Sequence, residues 1–368
     1  MAGLYIHIPF CASRCVYCGF YSTTQLELSQ RYVDALCSEM QSRSSEQDVS
    51  TVYLGGGTPS QLSFQQLEQL FIYIYKVYRV DPLAEVTMEC NPDDVTQQFV
   101  ESLAELPVNR VSMGVQTFDD RRLHFLCRRH RAGQIAPAVD ALRSSGIGNI
   151  SIDLMYGFPN ETLSEWHRDV TEALSLGVEH ISAYALQYEE GTALYRMLES
   201  GEVSEIDEEL ERQMYFDLID RLASAGYEHY EISNFAQAGY RSHHNSNYWN
   251  QTPYIGLGAA AHSFDGVDRQ WNVSSISEYI KGIESGSPRV DYERLDEATH
   301  YNDLVMTALR TCDGLSLQGL RPQQRDYCLR MAQKYLSCGW LQQTDDHLKL
   351  TRDGLFVSDM IMAELMMV

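Results

Sequence analysis

From residue 4 to residue 186, short apolar runs alternate with amphipathic stretches, and that rhythm leaves few folds open. Strands are expected at 4–8, 51–54, 86–89, 111–115, 150–155 and 181–186. Helical patterns fall between them near 28–43, 63–78, 96–105, 134–145 and 164–175. Strands separated by single helices pair in parallel, so the pattern predicts βα units around a parallel sheet. Six units are fewer than the eight that close a full barrel. The expected class is therefore α/β, and a partial (β/α)6 barrel and an open sheet both fit this rhythm.

An acidic helix at about 204–225 ends at Ala225-Gly226, with glycine in the usual stop position. The section 227–290, rich in His, Asn, Tyr, Trp and Gly, reads as extended structure and loops. Beyond it, helices near 297–311 and 323–337 precede two strands, 340–344 and 347–350, about Asp345-Asp346. That order suggests a small winged-helix-like α+β module. The expected division is thus a core over 1–235, a linking segment over 236–290 and a C-terminal domain over 291–368.

Winged-helix modules often bind DNA. This one carries twelve acidic against eight basic residues, in a chain of formal charge −23. Phosphate binding needs a basic face, so no nucleic-acid partner is expected. No run of about 18 apolar residues occurs. Met1 leads directly into the strand-like Leu4–Ile8 without a basic n-region or an Arg-rich presequence, so a cytoplasmic location is expected.

In such a setting, nine cysteines point to metal binding or free thiols rather than disulfides. Three of them, Cys11, Cys15 and Cys18, crowd into the loop after the first strand. Soft thiolates suit Fe–S clusters and zinc, but a structural zinc site wants four ligands and no fourth cysteine is near. His7 could supply one, though strand alternation points it with Tyr5 toward one face. A [4Fe-4S] cubane held by three cysteines leaves one iron for an outside ligand, such as the amino and carboxylate groups of S-adenosylmethionine (SAM). Tyr17 is placed to pack on an adenine ring. Further along, Gly55-Gly56-Gly57-Thr58 brings backbone close to a ligand. Glu89 ends the third strand with a carboxylate able to accept both ribose hydroxyls.

Cys11-x3-Cys15-x2-Cys18 after the first strand resembles the radical SAM superfamily. Tyr5-Ile6-His7-Ile8-Pro9-Phe10-Cys11 is similar to its coproporphyrinogen oxidase-like branch, and the resemblance extends over nearly the whole chain. It implies a cluster on Cys11, Cys15 and Cys18 with SAM as exchangeable fourth ligand. It also implies SAM contacts from Tyr5, Tyr17, Gly56, Gly57, Thr58 and Glu89. Gln116, Arg128 and Asp153 match positions that contact a second SAM in the oxidases, and Gln187 is a further member of that wall. From the residues alone, Arg128 either neutralises nearby carboxylates or clamps a carboxylate ligand.

Ser242-His243-His244-Asn245-Ser246-Asn247-Tyr248-Trp249-Asn250 joins potential iron ligands to flat aromatic surface. Its His pair is open to a structural, surface or haem-ligating role. The segment is similar to the His-Asn-x-x-Tyr-Trp motif of the HemW-type haem chaperones of this branch. That likeness implies haem contacts from His244 first, then Tyr248 and Trp249, with His243 and His7 as further candidates. Phe20 stands where the oxidases usually place a fourth cysteine, and no oxidase-like extension precedes the first strand.

Together these features favour a haem chaperone carrying a SAM-coordinated cluster. The alternatives are an oxygen-independent coproporphyrinogen III oxidase, or a radical SAM enzyme with another substrate. The implied partners are haem and a haem-acceptor protein, respiratory and membrane-associated by resemblance. If SAM is cleaved, an electron donor such as flavodoxin or ferredoxin joins them.

Overall fold

The computed structural model describes residues 1–367; Val368, the last residue of the expected C-terminal domain, lies outside the described residues. Six parallel strands stand side by side in chain order. They are β1 (Ala2–Ile8), β2 (Asp48–Gly56), β3 (Arg79–Cys90), β4 (Arg110–Gln116), β5 (Ile150–Tyr156) and β6 (His180–Ala185). The connections hold α1 (Ser29–Ser42), α2 (Phe64–Val77), α3 (Gln97–Ala104), α4 (Asp120–Phe125), α5 (Ile135–Ser144) and α6 (Leu163–Ser175).

Alternation along each strand separates two faces. Leu4, Ile6, Ile8, Val52, Leu54, Val86, Met88, Val111, Met113, Ile152 and Leu154 are buried in the main core, which the helices cover. The other face carries polar and aromatic groups, among them Tyr5, His7, Tyr53, Glu89, Arg110 and Asp153. Helix starts are fixed locally. Ser63 and Thr162 each complete a capping box, with Gln66 and Glu165 respectively.

β1 and β6 do not pair, so the barrel stays open and each edge is extended by later chain. After α7 (Ala193–Glu199) and α8 (Glu208–Ser224), the hairpin β7 (Glu228–Glu231) and β8 (Asn234–Ala236) adds antiparallel to β6. Next comes α9 (His243–Trp249). β9 (Tyr254–Leu257) then joins β1 in parallel. β10 (His262–Phe264), β11 (Asp268–Asn272) and β12 (Val290–Arg294) continue outward, with α10 (Ile276–Glu284) against α1.

The stretch expected as a linking segment is thus built into a twelve-stranded sheet. Its strands β9 to β11 are only three to five residues long. Elements so short are fixed by the neighbour they pair with, not by their own pattern.

The C-terminal module has the winged-helix-like order α11 (Glu297–Ala308), β13 (Leu315–Ser316), α12 (Pro322–Ser337), β14 (Leu341–Thr344) and β15 (His347–Leu350). α13 (Arg352–Leu355) and α14 (Ser358–Leu365) follow. It has its own core around Tyr301, Val305, Leu309, Leu348 and Ile361. Arg310–Glu231 at 2.8 Å and Arg269–Asp303 at 2.5 Å tie it to the barrel. Among the described residues, no helix is long and apolar enough to cross a membrane.

Candidate functional site

The loop that leaves β1 is fastened at both ends and in the middle. Thr23 N–H donates to Pro9 C=O at 2.7 Å, and Cys11 N–H donates to Thr23 C=O at 2.9 Å. Val16 N–H donates to Leu126 C=O, and Leu194 N–H to Val16 C=O. Val16 and Tyr17 pack on a small apolar cluster of Leu126, Met155, Phe158, Leu186 and Leu194. The loop is thereby held over the C-terminal ends of the strands, where parallel α/β sheets place their ligands. Beneath it lies a cavity of about 440 Å³.

Cys11, Cys15 and Cys18 line this cavity as half-buried free thiols. The Thr58 hydroxyl lies 3.6 Å from Cys11 Sγ, and Arg128 Nη1 lies 3.7 Å from Cys15 Sγ. Burial pushes the Cys11 and Cys18 thiols above their usual range, so loading metal onto them must release protons. Among the described residues, no three His, Cys, Asp or Glu side chains gather as ligands of a single metal ion. Three thiols around one cavity suit a cubane, whose irons stand apart, better than a closed four-ligand zinc site.

The same cavity is lined by Gly56, Gly57, Thr58, Glu89, Gln116, Arg128, Asp153 and Gln187, with Tyr17 from the loop. Gly57 is required by close approach, since a Cβ there would stand 2.6 Å from the Pro9 carbonyl carbon. Glu89 accepts from the Tyr53 hydroxyl at 2.7 Å and from Gly56 N–H at 3.0 Å. Burial raises its carboxyl to about 7, with Asp153 adding to the rise, while these two donors pull it back. Asp153 is likewise raised by burial, to about 6. Arg128 donates to the Gly114 carbonyl at 2.6 Å and to Asn91. It therefore bonds neutral oxygens on the rim rather than clamping a carboxylate of the protein. Gln116 reaches the cavity from a left-handed backbone, φ 68°, at a register shift in β4.

Tyr5 is not among the residues that line the cavity. Its hydroxyl pairs with His7 Nδ1 at 3.0 Å, below the cavity rather than on its wall.

The haem-associated motif also departs from expectation, for it is a helix and not a loop. Ser242 caps it, and the Glu85 carboxylate accepts the N–H groups of His243 and His244. The helix lies inside the open barrel, where His244 is 1% exposed and stacks on Tyr53 at 4.9 Å. Both its ring nitrogens are engaged, one with Thr51 at 2.9 Å and the other with Tyr248 at 3.0 Å. His7 is similarly buried between Tyr5 and the Tyr21 carbonyl. Burial lowers His244 to about 3 and His7 to about 4, so both are neutral at physiological pH. Both ring nitrogens of each are hydrogen-bonded in this conformation. Trp249 lies under the Arg310 guanidinium at 5.0 Å, and the one exposed ring of the motif's His pair is His243.

Sequence reading missed Tyr53, Arg110, Tyr184 and Asn245, which line the same cavity. The signal for the first three is period two. Tyr53 and Gly55 share a face of β2, and Arg110, Ser112 and Gly114 share a face of β4. Asn245 carries no such signal, because its helix is set by tertiary contacts.

Comparison with known proteins agrees with this architecture. Residues 5–173 match the radical SAM superfamily, and residues 295–357 match the HemN C-terminal domain. The chain is 37% identical to the heme chaperone HemW of Bacillus subtilis, over 86% of this chain and 85% of that protein. It is 34% identical to the heme chaperone HemW of Mycobacterium tuberculosis, over 99% and 94%. Among solved structures, the coproporphyrinogen III oxidase HemN of Escherichia coli superposes with a TM-score of 0.85 at 21% identity, covering 99% of this chain and 89% of that one. At that identity the likeness shows the fold alone.

Proposed function

The chain belongs to the HemW haem-chaperone family of the radical SAM superfamily, and from that premise we propose that it binds haem and hands it to an acceptor protein while holding a SAM-coordinated [4Fe-4S] cluster. The observation that carries this reading is identity of 34–37% to curated heme chaperones over most or nearly all of the chain. Cys11, Cys15 and Cys18 would hold the cluster. When bound, it supplies an iron with an open position and an electron for a sulfonium ligand.

The chain's own residues divide the remaining work. Glu89, fixed by Tyr53 and Gly56, presents a carboxylate to ribose hydroxyls. The backbone at Gly56 and Gly57 meets the methionine end, and Tyr17 packs on the adenine. Gln116, Arg128, Asp153 and Gln187 form the wall that would face a second SAM. For haem, His243 replaces His244 as the first candidate, because its ring alone of the pair reaches solvent. Tyr248 and Trp249, both half-buried, would contact the macrocycle. An electron donor of the flavodoxin or ferredoxin class is needed only if SAM is cleaved.

The test starts with anaerobic reconstitution, which should give about four irons and four sulfides per chain. Cys18→Ser should lose them. Haem titration should then give one saturable equivalent, weakened in His243→Ala. A protein that holds the cluster but binds no haem would sink the chaperone reading.

A further inference from the structure

Arg110 opens β4, and only 1% of its surface is exposed. It lines the cavity together with Tyr53, Glu89, Ser112 and Asp153. Among the described residues its guanidinium makes no ion pair, and its Nε is enclosed without a hydrogen-bond partner. Two other enclosed arginines, the buried Arg122 and the half-buried Arg128, have partners. Arg122 meets Glu161 at 3.0 Å and Glu165 at 2.8 Å, and Arg128 meets Asn91 and the Gly114 carbonyl. Thr87 stands in register with Arg110 on the neighbouring strand, fully buried, and its hydroxyl also lacks a partner. An unpaired buried guanidinium is costly, so a fold retains one where something else completes it.

We propose that Arg110 anchors a carboxylate subsite at the floor of the cavity, filled by the carboxylate of a ligand that sits there beside SAM. This rests on reading the cavity as a SAM site. Arginine's planar fork matches a carboxylate with two parallel hydrogen bonds. Ser112 and Asn245 line the same floor and supply neutral polar neighbours.

Glu89 and Asp153 feel the charge of Arg110, which holds both carboxyls lower than burial alone would, yet neither forms an ion pair with it. The same charge reaches His244 from the other side and helps keep that ring neutral. Asn245 of α9 lines the cavity together with Arg110, so the subsite lies on the side of the cavity that the motif helix closes. A SAM held by the cluster would spend its own carboxylate there and could not fill the subsite. Haem brings two propionates, and a second SAM brings one methionine carboxylate; both present the same group.

The test uses reconstituted protein, wild type, Arg110→Met and Arg110→Lys, titrated with haem, haem dimethyl ester, SAM and decarboxylated SAM. Arg110→Met should weaken the carboxylate ligand about 10- to 100-fold, the worth of a charge-assisted hydrogen bond. The ester or the decarboxylated analogue should bind wild type and variant within about twofold, and Arg110→Lys should recover part of the loss. A loss on haem but not its ester identifies a propionate. A loss confined to a second equivalent of SAM identifies methionine. Arg110→Met should melt no lower than wild type, because it removes an unpaired buried charge. Unchanged affinity for both carboxylate ligands overturns the subsite and makes buried water the partner of Arg110. Iron, sulfide and the first SAM equivalent are measured on the same samples, so a wild type lacking them marks failure of the SAM-site reading instead.

Discussion

Replacing Glu89 by Gln should stabilise the ligand-free protein while weakening SAM, and the two effects have one cause. In the fold the carboxyl titrates near 7 against an ordinary 4.5, because it is buried beside Asp153. A carboxyl whose folded pKa is raised binds its proton more tightly in the fold than in the unfolded chain. The stability it contributes is therefore full below pH 4.5 and is lost as pH rises to 7. At about 1.36 kcal/mol per pH unit, the loss has a ceiling of about 3 kcal/mol, lowered by water in the cavity that screens the group.

Glu89→Gln keeps the shape and removes the charge. Urea unfolding of cluster-free protein should therefore show the variant more stable by about 1–3 kcal/mol at pH 8, and the two proteins close to equal at pH 5. Calorimetric titration of reconstituted protein should show SAM binding weakened at least about tenfold, since an amide offers one acceptor where a carboxylate offers two. A variant less stable than wild type at pH 8, or a gap independent of pH, would refute the argument.

Three further outcomes follow from the geometry. Gly57→Ala forces a methyl against the Pro9 backbone at 2.6 Å and should cost about 1–3 kcal/mol in urea unfolding, with SAM binding lost. Arg310→Ala strands the fully buried Glu231 carboxylate and uncovers Trp249, and should cost about 3 kcal/mol by the same measurement. Tyr53→Phe removes a donor to Glu89, so SAM affinity should fall about tenfold while iron content stays at the wild-type value.

Much of the architecture was legible because its signals are local. The six parallel strands each carry a buried apolar row, and the helices between them repeat at helical spacing, so the (β/α)6 order could be read directly. The cysteine loop was legible for a chemical reason, three soft ligands within eight residues. What escaped was set by long-range contact. α9 is seven residues long, and it is held by Glu85 on β3 and Thr51 on β2, far away in sequence. The motif around His244 was therefore visible as a pattern, while its inward direction was not. The partnerless state of Arg110 is likewise invisible in sequence, because an arginine at a strand start looks the same whether or not an acid faces it. Its alternation with Ser112 and Gly114 was the one available sign of which face it takes.

The central claim, a haem carrier and not a porphyrinogen-converting enzyme, meets its most direct test in one reaction mixture. Reconstituted protein is supplied anaerobically with SAM, a low-potential reductant and coproporphyrinogen III, and a parallel sample is loaded with haem and mixed with an apo-haemoprotein. The account predicts haem transfer to the apoprotein and no decarboxylated porphyrinogen beyond the control without protein. Repeated turnover to protoporphyrinogen, with no haem transferred, would contradict it.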